Sequence, residues 1–544
     1  MHKARREMVL QGIAASAGLA LGRIVIQRVC HGGRRTPGTP AEEHDALQAA
    51  MTTGAGQLET LAGTVGDRAA AEILEFQIAL LDDEDLVAPI FARIADGAPA
   101  DAAWRETLDA EIAAYRASGD EVLEARATDL ADLRDRVLDT LSPRADPAIT
   151  VNGEQAIYVA EELTPSRFLE TDWTRFRGAA IKEGSAAGHV ALLARARGTP
   201  LVIGLGAAFE TLCDGALALL DAERGQLVLD PSTTTVGDAQ SRLAEQAARA
   251  ATNARFLDRP AITAAGERVE VLINVDDPAL LAAIDPKHTD GIGLTRTEFL
   301  FRGAELPDEA RQYQVYTDIL KWAVGRPVII RTLDAGGDKP IAGLTPEGES
   351  NPFLGLRGLR LSLARPDVFT VQLRALARAA VGGSLKVMAP MVSTPAEFEA
   401  FRRLFEAAVA ALNDEGIAAA LPPLGMMVEV PAAALSASNF DADFMSIGSN
   451  DLIQYVMAAG RDIASVRSLY DAGNPAVLEL IDRVVDIGER HGIEVSLCGD
   501  MASDPALVPR LLELGVRRLS VAPAVLGTVK AAIAGWSRTG RRPQ

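Results

Sequence analysis

Residues 291–334 read GIGLTRTEFLFRGAELPDEARQYQVYTDILKWAVGRPVIIRTLD. A short apolar run ends in Thr-Arg, a helix-patterned stretch follows, and a β-branched run ends in Arg-Thr. Buried strand, helix and buried strand make the repeating unit of a parallel sheet. The unit recurs along the second half of the chain. Strand-like runs start at VEVLINV (269), GIGLTR (291), PVIIRTLD (327), LKVMAPMV (385), LGMMVEV (424), FMSIGSND (444), EVSLCGD (494) and RLSVAP (518). Eight such runs alternating with helices over about 270 residues predict a (β/α)₈ barrel, whose active site lies at the C-terminal ends of the strands.

Those ends carry Arg296, Arg331, Asp334, Glu429, Asn450, Asp451, Cys498 and Asp500. Arg296 and Arg331 sit at strand ends beside threonines, and Arg357 follows in NPFLGLRGLR; converging guanidiniums recognise phosphate and carboxylate. Arg360 and Arg374 read as salt-bridging surface residues. Glu429 and Asp451 end neighbouring strands and, with substrate oxygens and waters, make a typical Mg²⁺ site, supported by Asn450 and Arg461. Cys498 is the thiol best placed to give a proton to carbon. The loop DAGGDKP, with Gly336, Gly337 and Lys339, is a weaker anion signal.

The first half differs. MVLQGIAASAGLALGRIVIQ predicts one or two strands, and residues 41–142, rich in Ala, Leu and Glu, predict a helical bundle in which Ile73, Phe76, Leu80 and Leu81 recur at helical spacing. From 146 to 231 short apolar runs (QAIYVA, GAAIKEG, TPLVIGLG, LALLDA, QLVLD) alternate with helical pieces, an α/β module. Residues 237–256 predict a long charged helix bridging domains. Within the α/β module, GSAAGHVALLARARGTP (184–200) puts His189 after a run of tiny residues and at a helix start, where a phosphate can approach a bare imidazole.

The 544 residues are too many for one ordinary domain, and 48% apolar with 24% charged residues describes a globular chain. The formal charge of −20 argues against nucleic acid and anionic membranes and for a basic macromolecular partner. No run is long enough for a membrane span and no signal peptide is evident, so the expected location is the cytoplasm. Cys30, Cys213 and Cys498 lack the number and spacing of a disulfide framework or zinc site.

With these segments in hand, the chain resembles enzyme I of the bacterial phosphoenolpyruvate phosphotransferase system, through GIGLTRTEFLF, RTLDAGGDKP, NPFLGLRGLR, GMMVEVPAA, SIGSNDLIQYVMAAGRD and CGDMA. The resemblance implies a helical bundle inserted in a swivelling α/β phosphohistidine domain, followed by the barrel. Its domains would be N-terminal strands at 1–35, a carrier-binding bundle at 36–145, the phosphohistidine domain at 146–232, a linker helix at 233–260 and a phosphoenolpyruvate-binding barrel at 261–544. It further implies that phosphoenolpyruvate is held by Arg296, Arg331, Asn450 and Arg461, with Mg²⁺ on Glu429 and Asp451. Arg357 would support the transferred group, Cys498 would protonate the enolate carbon, and His189 would take the phosphoryl group. A small phosphocarrier, HPr, would then dock near Glu72, Glu75, Asp82, Asp83, Glu84 and Asp85, and the barrels would form a homodimer.

Two departures stand out. Ala187 and Gly188 replace the usual Thr and Ser before the histidine, so another hydroxyl, such as Thr164, is expected to take over one role. Phe76 and Gln77 stand where the carrier-binding helix often has Gly and His. The rival readings are a phosphoenolpyruvate synthase-like enzyme, which needs a nucleotide-binding domain for which there is no room ahead of the bundle, a regulatory relay with the same chemistry, and a non-catalytic carrier-binding regulator.

Overall fold

A computed structural model describes residues 7–27, 36–64, 68–118, 121–142, 156–186, 188–301, 306–337, 339–341, 343–346, 348–460, 463 and 465–537. The chain divides into two compact units, residues 1–247 and 248–544. Among the described residues no helix is long and apolar enough to cross a membrane.

The first unit is built on one mixed sheet. Its strands are β1 (Met8–Gln11), β2 (Ile13–Ser16), β3 (Leu19–Gln27), β4 (Ala156–Ala160), β5 (Phe176–Ile181), β6 (Leu201–Ile203), β7 (Leu217–Asp221) and β8 (Gln226–Leu229), in the order β1-β8-β7-β3-β4-β5-β6-β2. β3 to β6 run parallel, and antiparallel strands flank them. The N-terminal segment therefore makes three strands rather than one or two. Gly12 and Gly18 break the run and send β1 and β2 to opposite edges. Gly18 has φ +142°, and a Cβ there would lie 2.6 Å from Pro200, so the turn into β3 requires glycine.

Between β3 and β4 the chain inserts five helices: α1 (Pro40–Thr64), α2 (Arg68–Leu81), α3 (Glu84–Ala95), α4 (Ala100–Ala117) and α5 (Glu121–Leu141). They close on Leu47, Leu58, Leu74, Trp104, Leu108 and Val137, all fully buried. The bundle shares its core with one face of the sheet, and the period-two alternation of a strand makes this possible. Ala156, Tyr158 and Ala160 of β4 join the bundle's cluster, while Ile157 and Val159 join the cluster on the opposite face. Three more helices complete the unit's path: α6 (Pro165–Glu170), α7 (His189–Arg197) and the long α8 (Thr233–Ala254), inside which the boundary between the units falls.

The second unit is the barrel. After β9 (Ala261–Ile262) come β10 (Arg268–Val275), β11 (Ile292–Thr295), β12 (Val328–Arg331), β13 (Leu385–Ala389), β14 (Leu424–Val428), β15 (Phe444–Gly448), β16 (Glu494–Cys498) and β17 (Arg518–Val521). β10 pairs in parallel with both β11 and β17, which closes an eight-stranded parallel ring at the eight expected positions. Leu294, Ile329, Met388, Met427, Phe444 and Cys498, one from each of six successive strands, form a buried cluster separate from the larger one. This is the barrel's interior layer, and Cys498 belongs to it.

Lys530 lies on the closing helix Leu526–Gly535 and is 3% exposed. Its ammonium donates to the carbonyls of Leu257 (2.9 Å), Arg259 (3.0 Å) and His288 (2.6 Å), pinning the segment after α8 to the barrel. Lys530→Met removes all three donors and leaves the carbonyls without their partner. It should destabilise the barrel by about 2–4 kcal/mol, read as a lower barrel transition temperature by calorimetry; an unchanged transition would show that the pin is not holding.

Candidate active site

The strand ends do converge. Leu294, Arg296, Arg331, Lys339, Arg357, Met427, Glu429, Asn450, Asp451 and Cys498 line one pocket at the C-terminal mouth of the barrel. Arg331 and Cys498 are the last residues of β12 and β16, and Arg296 and Glu429 follow β11 and β14 directly. Asn450 and Asp451 occupy the first turn of the helix Ser449–Met457 after β15. Arg357 comes from the loop before the helix Leu359–Ala364. Arg461, expected beside them, lies outside the described residues.

Buried charge organises this mouth. Arg357 donates to Asp334 from Nε (3.1 Å) and Nη2 (3.2 Å), and to Asp451 from Nη1 (2.9 Å) and Nη2 (3.2 Å). Arg331 stands against Glu298 and 3.2 Å from Asp334. Lys339 reaches Asp334 at 3.1 Å, which gives the Gly-rich loop a cation in the pocket after all. Burial opposes charge on Arg331, Arg357, Asp334 and Glu298, yet the opposite charges outweigh it. Arg331 and Arg357 are held above the ordinary guanidinium range by their carboxylates, and Asp334 well below the carboxylate range by Arg331, Lys339 and Arg357. Arg296 is the most accessible of the three arginines and pairs with Asp276 at 2.9 Å. Arg360 and Arg374 make surface ion pairs with Glu397 and Glu415, as expected.

Glu429 and Cys498 respond to burial in the other direction. Glu429 accepts from the Met391 amide at 2.6 Å, but burial, then Asp451 and Asp334, push its carboxyl up to about 7. Cys498 Sγ lies 3.7 Å from Ser446 Oγ and 3.5 Å from the Ile447 carbonyl, and burial pushes the thiol up to about 11. It is therefore a protonated acid at neutral pH.

His189 opens α7, in the first unit. Its cap residue Gly188 offers no side-chain hydrogen bond, and the ring is 24% exposed. Nδ1 stands 3.0 Å from Oδ1 of Asp129 on α5. Thr164, expected to supply a hydroxyl, makes no hydrogen bond to the ring among the described residues. Nearby, Arg126 covers the Phe76 ring at 3.7 Å, and Gln77 turns inward to Asp132 at 3.0 Å. Glu75, Asp82, Asp83, Glu84 and Asp85 are exposed, although Asp83 also caps α3 by accepting from the Asp85 amide at 2.9 Å. The Glu72 side chain lies outside those described.

Three domain families match: PEP-utilising enzyme, N-terminal, over residues 11–126; the mobile domain over 152–225; and the PEP-binding domain over 250–538. Relatives called phosphoenolpyruvate-protein phosphotransferase align along nearly the whole chain. The Geobacillus stearothermophilus protein is 36% identical over 96% of this chain and 92% of its own length. That of Haloferax volcanii is 40% identical over 88% and 84%, and that of Lactococcus lactis subsp. lactis 36% over 96% and 93%. The chain belongs to the phosphoenolpyruvate-protein phosphotransferase family. In this member of the family, residues missed by sequence reasoning are Glu298, which faces Arg331, and Asp129, which faces His189. A glutamate inside TRTEFLF gave a faint signal for the first; nothing local marks the second.

The thiol's environment has a direct chemical consequence. With a pKa of about 11, on the order of one Cys498 in a thousand is thiolate at pH 8. Iodoacetamide at pH 8 should label exposed Cys213 at least tenfold faster than Cys498, by peptide mass mapping. Equal labelling would contradict the burial described.

Proposed function

We propose that this chain takes the phosphoryl group of phosphoenolpyruvate onto His189, releases pyruvate, and passes the group to a histidine of a small HPr-like phosphocarrier, the first step of a phosphotransferase relay for sugar uptake. The observation that carries the reading is the meeting, at one barrel mouth, of cations for an anionic substrate and a protonated thiol beside them. Family membership supports the same reaction.

Arg296 and Arg331, with Asn450 and Arg461, would bind the phosphate and carboxylate of the substrate, and planar forks suit both groups. Arg357 is already fixed between Asp334 and Asp451, so it would offer the phosphoryl group a rigid charge. Cys498 would give its proton to the methylene carbon of the departing enolate.

Two carboxylates at the mouth would join substrate oxygens in holding a divalent cation. Arg296, Arg331, Lys339 and Arg357 are each paired with a carboxylate, Asp276, Glu298, Asp334 or Asp451, so the protein alone brings little net positive charge to a trianionic substrate. Glu429 and Asp451 are hard oxygen donors close enough to repel, with Asp451 shared by Arg357. They would hold Mg²⁺, which when bound neutralises phosphate charge.

His189 and the barrel belong to different units, so the histidine-bearing part would have to swing between donor and carrier, with α8 and the flanking segments as the hinge. The exposed acidic residues from Glu75 to Asp85 suit a carrier with a basic face. A homodimer through the barrels accords with the family, and the cytoplasm is the compartment where phosphoenolpyruvate is available.

Incubation with ³²P-labelled phosphoenolpyruvate, Mg²⁺ and a carrier tests the proposal. The wild type should acquire acid-labile label and pass it to the carrier, and His189→Ala should acquire none. Cys498→Ala should lower pyruvate output by about 10²-fold or more while His189 remains able to accept label from a labelled carrier. Label retained by His189→Ala would sink the assignment.

A further inference from the structure

We infer that Tyr455 is a positioning residue for Arg357: its hydroxyl bridges the guanidinium to the Phe353 carbonyl, and so locks the loop that carries Arg357 onto the helix that carries Asn450 and Asp451. This rests on the reading of Arg357 as the cation that supports the transferred phosphoryl group.

Tyr455 lies one helical turn after Asp451 on the helix Ser449–Met457, so the two side chains leave the same face. Its Oη accepts from Arg357 Nη1 at 3.2 Å and donates to the Phe353 carbonyl at 2.6 Å. A phenol keeps its proton at neutral pH, so the two roles do not compete. A guanidinium has five N–H donors. Asp334 takes one from Nε and one from Nη2, Asp451 takes one from Nη2 and one from Nη1, and Tyr455 takes the second from Nη1. Four of these acceptors are carboxylate oxygens, and two carboxylates already compensate the cation. Charge balance therefore does not account for the fifth, neutral acceptor; what it adds is direction. The loop leading to Arg357 needs such an anchor. Leu354 and Leu356 are 66% and 39% exposed, so little core lies beneath this stretch. The Leu356 amide donates to Glu349, within the same loop, whereas the Tyr455 hydroxyl reaches Phe353 from a helix 102 residues on. The Phe353 ring in turn stands 5.7 Å from the Arg357 guanidinium and lines the pocket.

The two carboxylates hold two sides of the guanidinium plane, and Tyr455 closes the third. Taking the hydroxyl away leaves the four charge-assisted bonds in place, so the ion pairs survive while the loop loses its tie to the helix. Small displacements matter here, because a shift of about 1 Å in a group that meets the reacting atoms can cost on the order of 10²-fold in rate. Arg357 acts on charge that develops at the phosphoryl group, so the loss falls on the maximal rate and not on substrate affinity. A hydroxyl that merely occupied the fifth donor until substrate arrived would behave in the opposite way. Its removal would leave an N–H ready for a phosphoryl oxygen and would spare or raise the rate.

The experiment follows phosphoenzyme formation by rapid quench, with the full chain, ³²P-labelled phosphoenolpyruvate and Mg²⁺, in the wild type, Tyr455→Phe, Arg357→Lys and the double variant. Tyr455→Phe should lower the maximal rate about tenfold and leave the half-saturating substrate concentration within about twofold of wild type. In the Arg357→Lys background the same substitution should cost less than about twofold, because the planar fork it serves is gone. Amide exchange over residues 353–358, read by mass spectrometry without metal or substrate, should be faster in Tyr455→Phe than in the wild type. A merely structural role would lower the rate equally in both backgrounds. That result overturns the inference, as does an unchanged or raised maximal rate, a loss carried by substrate affinity, or loop exchange that stays the same. Each of these leaves the role of Arg357 standing. A wild-type rate in Arg357→Lys instead overturns the reading of Arg357, and the inference with it.

Discussion

Arg357, with 2% of its side chain exposed, sits between the carboxylates of Asp334 and Asp451, and the barrel mouth depends on that arrangement. Taking three such ions out of water costs several kcal/mol each, and only mutual pairing with good geometry offsets it. Two pairs of hydrogen bonds fix the guanidinium, and Asp334 is shared further with Arg331 and Lys339. The result is a lattice of charge that cannot relax when an anion arrives. Preorganised charge of this kind stabilises developing charge without reorganisation at the moment of reaction. Gly336 belongs to the same device. At φ +105°, its missing Cβ would lie 2.7 Å from the Leu356 carbonyl, so glycine lets the DAGG loop close down on Arg357.

The same low-polarity setting gives opposite results according to what stands nearby. Arginines surrounded by carboxylates stay charged. Cys498, in the apolar interior layer with Leu294 and Met427, accepts from a serine hydroxyl and donates to a carbonyl, and burial outweighs the nearby arginines, so it keeps its proton. One barrel thus holds fixed cations and an undissociated acid side by side, which is the combination that breaking an enol phosphate and protonating the enolate demands.

Much of this was legible in the sequence, for a physical reason. Barrel strands are buried on both faces and read as continuous apolar runs, and the residue ending each run points to the mouth. Eight runs therefore announced the fold and the meeting of Arg296, Arg331, Glu429, Asp451 and Cys498 around one pocket. What was not legible depends on pairing between distant elements. Glu298 carries only a faint local signal, because its partner Arg331 lies 33 residues on. The count of N-terminal strands turned on whether glycines bend a strand or end it, which is decided by the strands they pair with. Phe76 reads as part of an apolar helix stripe and Gln77 as a departure from the usual carrier-binding helix, yet one is roofed by Arg126 and the other points to Asp132, both on α5.

Asp129 is the extreme case. It lies 60 residues from His189, on a helix of the inserted bundle, in a sequence context that any solvated helix could share. The sequence shows only two small residues, Ala187 and Gly188, where hydroxyls are usual. A carboxylate does more than a hydroxyl could. A hydroxyl both donates and accepts, so it can face either tautomer of an imidazole, whereas an ionised carboxylate accepts only and discriminates between them. It also opposes the positive charge that the ring acquires when phosphorus is attached, which a neutral hydroxyl cannot match.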